Sequence, residues 1–81
     1  MSHYIVYSLQ SLIDPSRYYI GITTDIEQRL SEHNSGKSIH TNKFKPWKLM
    51  AYIGFSDKIK AQNFESYLKT GSGRTFCKRH F

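Results

Sequence analysis

The sequence predicts the α+β class: a small three-stranded sheet flanked by helices, in the order β-β-α-β-α, with a candidate short helix at the C-terminus. Three observations point there. Runs rich in β-branched and aromatic residues occur twice near the N-terminus and once in the middle. Segments with apolar residues at helical spacing follow the second and third of these runs. Finally, 81 residues suffice for one core and not for two, so the expected organisation is a single domain over 1–81.

The first strand is read over Tyr4–Leu9, where Ile5, Tyr7 and Leu9 alternate with Tyr4, Val6 and Ser8. Asp14-Pro15-Ser16 then signals a turn, because proline presets its own φ and an aspartate closes a turn with its side chain. A second strand over Tyr18–Thr23 makes the pair a hairpin. Thr24 followed by Glu27 fits a capping box, so the first helix is expected to start there, with Ile26, Leu30 and His33 on one face. Asn34-Ser35-Gly36 supplies its stop. Residues 37–46 are polar and basic, without an apolar period, and read as a surface loop. A third strand is expected over Lys48–Phe55. A second helix over Asp57–Lys69, capped by Ser56, carries Ala61, Phe64 and Leu68 as its apolar stripe. Thr70-Gly71-Ser72-Gly73 is read as its end, and the tail Arg74–Phe81 carries only a weak pattern for a short third helix.

Twelve Lys and Arg stand against six Asp and Glu, a formal charge of +6, for which a phosphate polymer is the natural partner. Cys77 is the only cysteine, which excludes an intrachain disulfide, and it is assigned to packing or surface. No run approaches the roughly 18 apolar residues that span a bilayer, and the N-terminus lacks the pattern of a secretory signal. The expected location is cytoplasmic and the expected state a monomer, with a dimer or a partner protein as the alternatives.

Chemistry concentrates at a few positions. Arg29 and His33 lie four apart, so on a helix they share a face about 5–6 Å apart and are expected to grip one phosphate together. Guanidinium is the better suited of the two to offset developing negative charge, since its planar fork of donors matches phosphate and stays charged. Gly21, two positions after Tyr19, is expected to leave room for substrate or a helix. Glu65 falls at the border of the apolar stripe, and a single carboxylate with waters and phosphate oxygens is the usual hold on Mg²⁺. Lys37, Lys43, Lys45 and Lys48, with Phe44 and Trp47 interleaved, read as a nucleic-acid groove to which His40 and Thr41 add phosphate contacts. A second cluster, Lys69, Arg74, Lys78 and Arg79, is expected to extend it. Trp47, at a strand start, is expected in the core, as are Tyr4, Tyr18, Tyr52 and Tyr67, each with a wetted hydroxyl.

Taken in order, Ile5-Val6-Tyr7, Tyr19-Ile20-Gly21, Arg29, His33 and Glu65 resemble the motifs of the GIY-YIG nuclease superfamily over nearly the whole chain. Asn34-Ser35-Gly36-Lys37, Thr41 and Pro46-Trp47-Lys48-Leu49 resemble its small stand-alone bacterial members. The resemblance implies a metal-dependent endonuclease acting on phosphodiester bonds in DNA, single- or double-stranded or branched, in a setting such as DNA repair. It implies Tyr7 as general base with Tyr19 supporting, Arg29 on the phosphate, and Glu65 as ligand for Mg²⁺ or Mn²⁺. An unperturbed phenol ionises near ~10, so either tyrosine needs nearby positive charge to serve as base, and the residues alone do not separate the two. The first triplet has Ile5 where the motif has glycine, and no asparagine stands near the C-terminus. The alternative is therefore a basic nucleic-acid-binding module with the same fold and little or no catalytic activity.

Overall fold

A computed structural model describes residues 3–81. Its strands are β1 (Tyr4–Ser11), β2 (Tyr18–Thr23) and β3 (Trp47–Phe55), and its helices α1 (Ile26–Ser35), α2 (Lys58–Leu68) and α3 (Gly71–His80), with one 3₁₀ turn at Asn42–Phe44. The α+β class is as expected. The three strands form one antiparallel sheet in the order β2-β1-β3, which makes the N-terminal strand central. Asp14 closes the β1–β2 hairpin as its sequence suggests, its Oδ1 accepting from the Ser16 backbone at 3.1 Å.

Being central, β1 is covered on both sides, and adjacent residues point to opposite faces. Val6 packs with Ala61 and Leu68 beneath α2 and α3, joined by Phe55, Phe64, Phe76 and Phe81. Its neighbour Tyr7 packs with Leu9 and Trp47 beneath α1, joined by Tyr19, Ile26 and Leu30. The register of the β1–β3 ladder shifts between Ser8 and Leu9, where Met50 is the extra residue on β3. Tyr7 lies directly opposite Gly21 on β2.

Both helix starts fall one residue later than the sequence suggests. Asp25, not Thr24, caps α1, accepting from the Gln28 backbone at 3.1 Å. Asp57, not Ser56, caps α2, accepting from Ile59 N at 2.8 Å and Lys60 N at 3.4 Å. In each case two cap-competent side chains are adjacent and the carboxylate takes the position. The larger correction is at Thr70-Gly71-Ser72-Gly73, which does not merely end α2. Thr70 Oγ1 accepts from Gly73 N at 3.1 Å and starts the ten-residue α3. Gly73 is buried where a Cβ would stand 2.5 Å from the Leu68 Cα, so glycine is what lets α3 turn back this tightly against α2. Tyr18, Tyr52 and Tyr67 are surface residues at 53%, 59% and 42% exposure rather than core ones. Trp47 is buried as expected.

Candidate active site

Tyr7 supplies the centre of the site because β1 is covered on both faces and its ring is carried across the sheet toward the edge strand β2. A Cβ at Gly21 would fall 2.5 Å from the Tyr7 Cζ and 3.0 Å from the Tyr19 Cε2. The space left by the glycine is therefore filled by the Tyr7 phenol, which corrects the expectation that it admits substrate or a helix. Tyr19 is half-buried, its ring centroid 6.2 Å from that of Tyr7 and 4.8 Å from that of His33.

His33 is fully buried, and both ring nitrogens are engaged. Nε2 is 2.9 Å from the Tyr7 hydroxyl and Nδ1 is 2.7 Å from the Thr41 Oγ1. Thr41 is itself fully buried, and its carbonyl accepts from the Trp47 indole N–H at 2.8 Å. The expected grip of Arg29 and His33 on one phosphate is thus not the geometry found, since His33 turns inward to Tyr7. Thr41 likewise does not face solvent, and its hydroxyl serves His33 instead of a phosphate. Asn34, at the helix stop, clamps the strand start: its carbonyl accepts from Trp47 N and its amide donates to the Trp47 carbonyl. Nothing local in the sequence marks that pairing, because its partner is thirteen residues away. The segment 37–46 is thereby held to the sheet and is more than a surface crossing.

Arg29 projects from the same helix, half-buried, with Nη1 3.0 Å from the Glu32 Oε1. Glu32, followed by the Tyr7 phenol, holds its pKa above the ordinary arginine range. Burial pushes the Tyr7 phenol up to about 12; Arg29 pulls against that, while Tyr19 and Glu65 add to it. Positive charge at Tyr7 is present as the sequence suggests, yet desolvation outweighs it. His33 is shifted down, first by burial and then by Arg29, so its imidazole is neutral near pH 7. Glu65 lies on α2 with its side chain 20% exposed and Oε2 3.6 Å from the Lys69 Nζ. The Tyr7 phenol on β1 is thus acted on by groups from three other elements, Arg29 of α1, Tyr19 of β2 and, least of the three, Glu65 of α2, although the sequence separates them widely.

No group of three or more His, Cys, Asp and Glu residues able to hold a metal converges among the described residues. The donor chemistry is that of one carboxylate. That fits a hard cation that keeps most of its waters and binds phosphate oxygens, such as Mg²⁺ or Mn²⁺, and does not fit a structural zinc site. Lys37, His40, Lys43, Lys45 and Lys48 are exposed. Phe44, however, is half-buried with the Arg17 guanidinium 4.7 Å over its ring, so it presents no open face for a base. Arg74 is exposed on α3, against the other face of the sheet, so the two basic clusters do not form one strip on one face.

A family model described as the GIY-YIG catalytic domain matches residues 3–78. The chain belongs to the GIY-YIG nuclease family. It is 40% identical over 70 residues to a UPF0213 protein, YsiG, of Lactococcus lactis, a match covering 85% of this chain and 65% of the relative. It is 39% identical over 71 residues to the structure-specific endonuclease subunit SLX1 of Scheffersomyces stipitis, covering 79% of this chain and 21% of that subunit. The chain thus spans less than two thirds of the first and about a fifth of the second. The solution structure of a UPF0213 protein from Bacillus halodurans is similar at a TM-score of 0.57 and 30% identity, over 98% of this chain and 84% of that one. The GIY-YIG match takes in the triplet Ile5-Val6-Tyr7 despite its missing glycine. No helix among the described residues is long and apolar enough to cross a membrane.

Proposed function

We propose that this chain is a metal-dependent endonuclease that hydrolyses phosphodiester bonds in DNA, and that Tyr7, Tyr19, Arg29, His33 and Glu65 carry the reaction. The observation that supports it most is the Tyr7 phenol, on which Arg29 and Glu65 both act and whose hydroxyl lies 2.9 Å from a neutral, buried imidazole. A phenol with a pKa of about 12 is scarcely ionised near pH 7, so a free phenolate is a poor candidate for the base. A relay suits the geometry better. The Tyr7 oxygen takes a proton from the attacking water as its own proton passes to His33 Nε2. The water oxygen bonds to phosphorus while the bond from phosphorus to the leaving oxygen breaks. Thr41 accepts from His33 Nδ1–H and so keeps Nε2 free to receive the proton. Arg29 donates to the non-bridging oxygens, where charge develops, and the Tyr19 hydroxyl orients the same phosphate. Glu65 would hold Mg²⁺ or Mn²⁺, which when bound stabilises the leaving oxygen.

In this reading Lys37, His40, Lys43, Lys45, Lys48 and Arg74 hold the DNA backbone. The relatives named as structure-specific endonuclease subunits support branched DNA as substrate. The test is cleavage of labelled single-stranded, double-stranded and branched DNA in Mg²⁺ or Mn²⁺, alongside Glu65→Ala and Arg29→Ala. Cutting by the natural chain with at least a hundredfold loss in both variants is expected. Equal cutting by all three would assign the activity to a contaminant. The binding-module reading retains one specific support, that Tyr7 is only 1% exposed. It predicts DNA binding unchanged in Tyr7→Phe and no cutting with any divalent metal.

A further inference from the structure

A pocket of about 610 Å³ opens between the first residues of β2 and the corner where α2 meets α3. It lies apart from the basic loop 37–46. Its cationic side is Arg74 and Lys78, four apart on α3 and therefore on one face of that helix, both exposed and without an ion-pair partner among the described residues. Arg17 and Lys69 also line it, paired with Asp14 and Glu65 respectively, while no Asp or Glu among the described residues lines the pocket itself. Its other side is apolar and aromatic, with Ile20, the buried Leu68 and the Tyr18 ring, which is 53% exposed although tyrosine favours partial burial. The volume is that of a small-molecule site. The candidate active site is next door, since Tyr19 lines the pocket and Lys69 is the partner of Glu65.

We propose that this pocket holds one unpaired nucleotide of a nucleic-acid strand, its phosphate on Arg74 and Lys78 and its base against Tyr18, Ile20 and Leu68. The inference deepens the nuclease reading and rests on it for the identity of the polymer. Two cations without acidic neighbours match a phosphodiester, and an exposed tyrosine over an apolar floor matches a planar base. A base paired within a duplex has both faces stacked and cannot enter, so the pocket selects a strand with unpaired residues beside the scissile bond. That is a physical basis for preferring a junction or flap to a continuous duplex.

The test is fluorescence anisotropy of the full chain in EDTA, so that binding is read without cutting. A single-stranded 12-mer, the same strand with abasic sites, and a blunt duplex are compared for the natural chain, Tyr18→Ala and Arg74→Ala/Lys78→Ala, each checked by circular dichroism. The double variant is expected to lose at least tenfold in single-strand affinity and at most threefold on duplex, with its log-salt slope smaller by about 1.4. Tyr18→Ala is expected to lose about fivefold on the base-bearing strand and nothing on the abasic one. Thymidine monophosphate should compete far better than inorganic phosphate. Equal losses on single strand and duplex, or equal competition by phosphate, would overturn the pocket and leave only a charged surface. The binding preference does not depend on turnover, so its absence with cleavage intact refutes the pocket alone, and its presence without cleavage refutes the nuclease alone.

Discussion

The two faces of the sheet are built on different principles, although adjacent residues of one strand found both. Beneath α2 and α3, Val6, Ala61 and Leu68 meet a cluster of phenylalanines, and the contact is almost wholly apolar. Beneath α1, the same strand offers Tyr7 to a buried chain of hydrogen bonds through His33 and Thr41 to Trp47. The first arrangement is non-directional and tolerant, stabilising roughly in proportion to the area removed from water. The second is directional, because every buried polar atom needs its partner, and it has them: no buried side-chain nitrogen or oxygen among the described residues lacks one. One face thus supplies stability, and the other spends part of its burial on fixing the position of a few reactive groups.

That division is broken most sharply by exchanging the effects. Val6→Ala, at 2% exposure on the apolar face and outside the pocket, is expected to destabilise the chain by about 1–3 kcal/mol, read from urea unfolding. Activity per folded molecule should be unchanged. Arg29→Ala should do the reverse. Its ion pair with Glu32 is about a third exposed and contributes little to stability, about 0–1 kcal/mol. The loss of charge stabilisation, by contrast, should lower kcat by about 10²–10³. Equal losses of stability in the two variants would mean that the faces are not functionally distinct.

Much of the apolar face was legible in the sequence, and much of the polar one was not. Ala61, Phe64 and Leu68 recur at helical spacing and therefore announce their shared burial. Tyr7, Tyr19, Arg29 and Glu65 were recognisable as candidates from their types and order. The partner of His33 was not, because Thr41 sits in a stretch of polar residues with no period to report that it folds inward. The third helix was hidden for a related reason. Gly71 and Gly73 read locally as breakers, whereas Gly73 is needed for a close helix crossing that only tertiary structure reveals. Nor does any local pattern say that β1 is central; that follows from pairing with β3, whose residues stand 36 to 51 positions from their partners on β1.

A finer probe of the polar face is Tyr7→Phe, which removes one hydroxyl and leaves His33 Nε2 without its partner. The expected cost is about 1–3 kcal/mol in stability, since an orphaned buried group loses its solvation without compensation. Cleavage should fall by at least a hundredfold under the relay reading. Tyr19→Phe, whose ring packing is retained, should cost less in both measurements. A Tyr7→Phe variant as stable as the natural chain would indicate that the network is not closed as described.

The smallest effect, and the one most specific to the polar face, is a pH dependence. The folded chain holds the His33 pKa below its ordinary value of 6.5, through burial and then Arg29. Unfolding therefore takes up a proton at mildly acidic pH, and the stability associated with a neutral His33 is complete above 6.5 and lost as pH falls from there through the lowered folded value. Tyr7 has the opposite sign: its pKa, raised to about 12 from 10.0, contributes stability below pH 10 that is lost as pH rises toward 12. The charged groups acting on His33 are Arg29 and Glu32, and Glu32 opposes the shift. Thermal unfolding followed from pH 7 to 5 should show a falling midpoint for the natural chain and a flatter one for His33→Gln, whatever the offset between them. Under the relay reading, cleavage should rise as pH is raised from 5 to 7 and level off once His33 is neutral. A rate that instead climbs tenfold per pH unit from 7 to 9 would assign the base to a free phenolate and remove His33 from the proton's path.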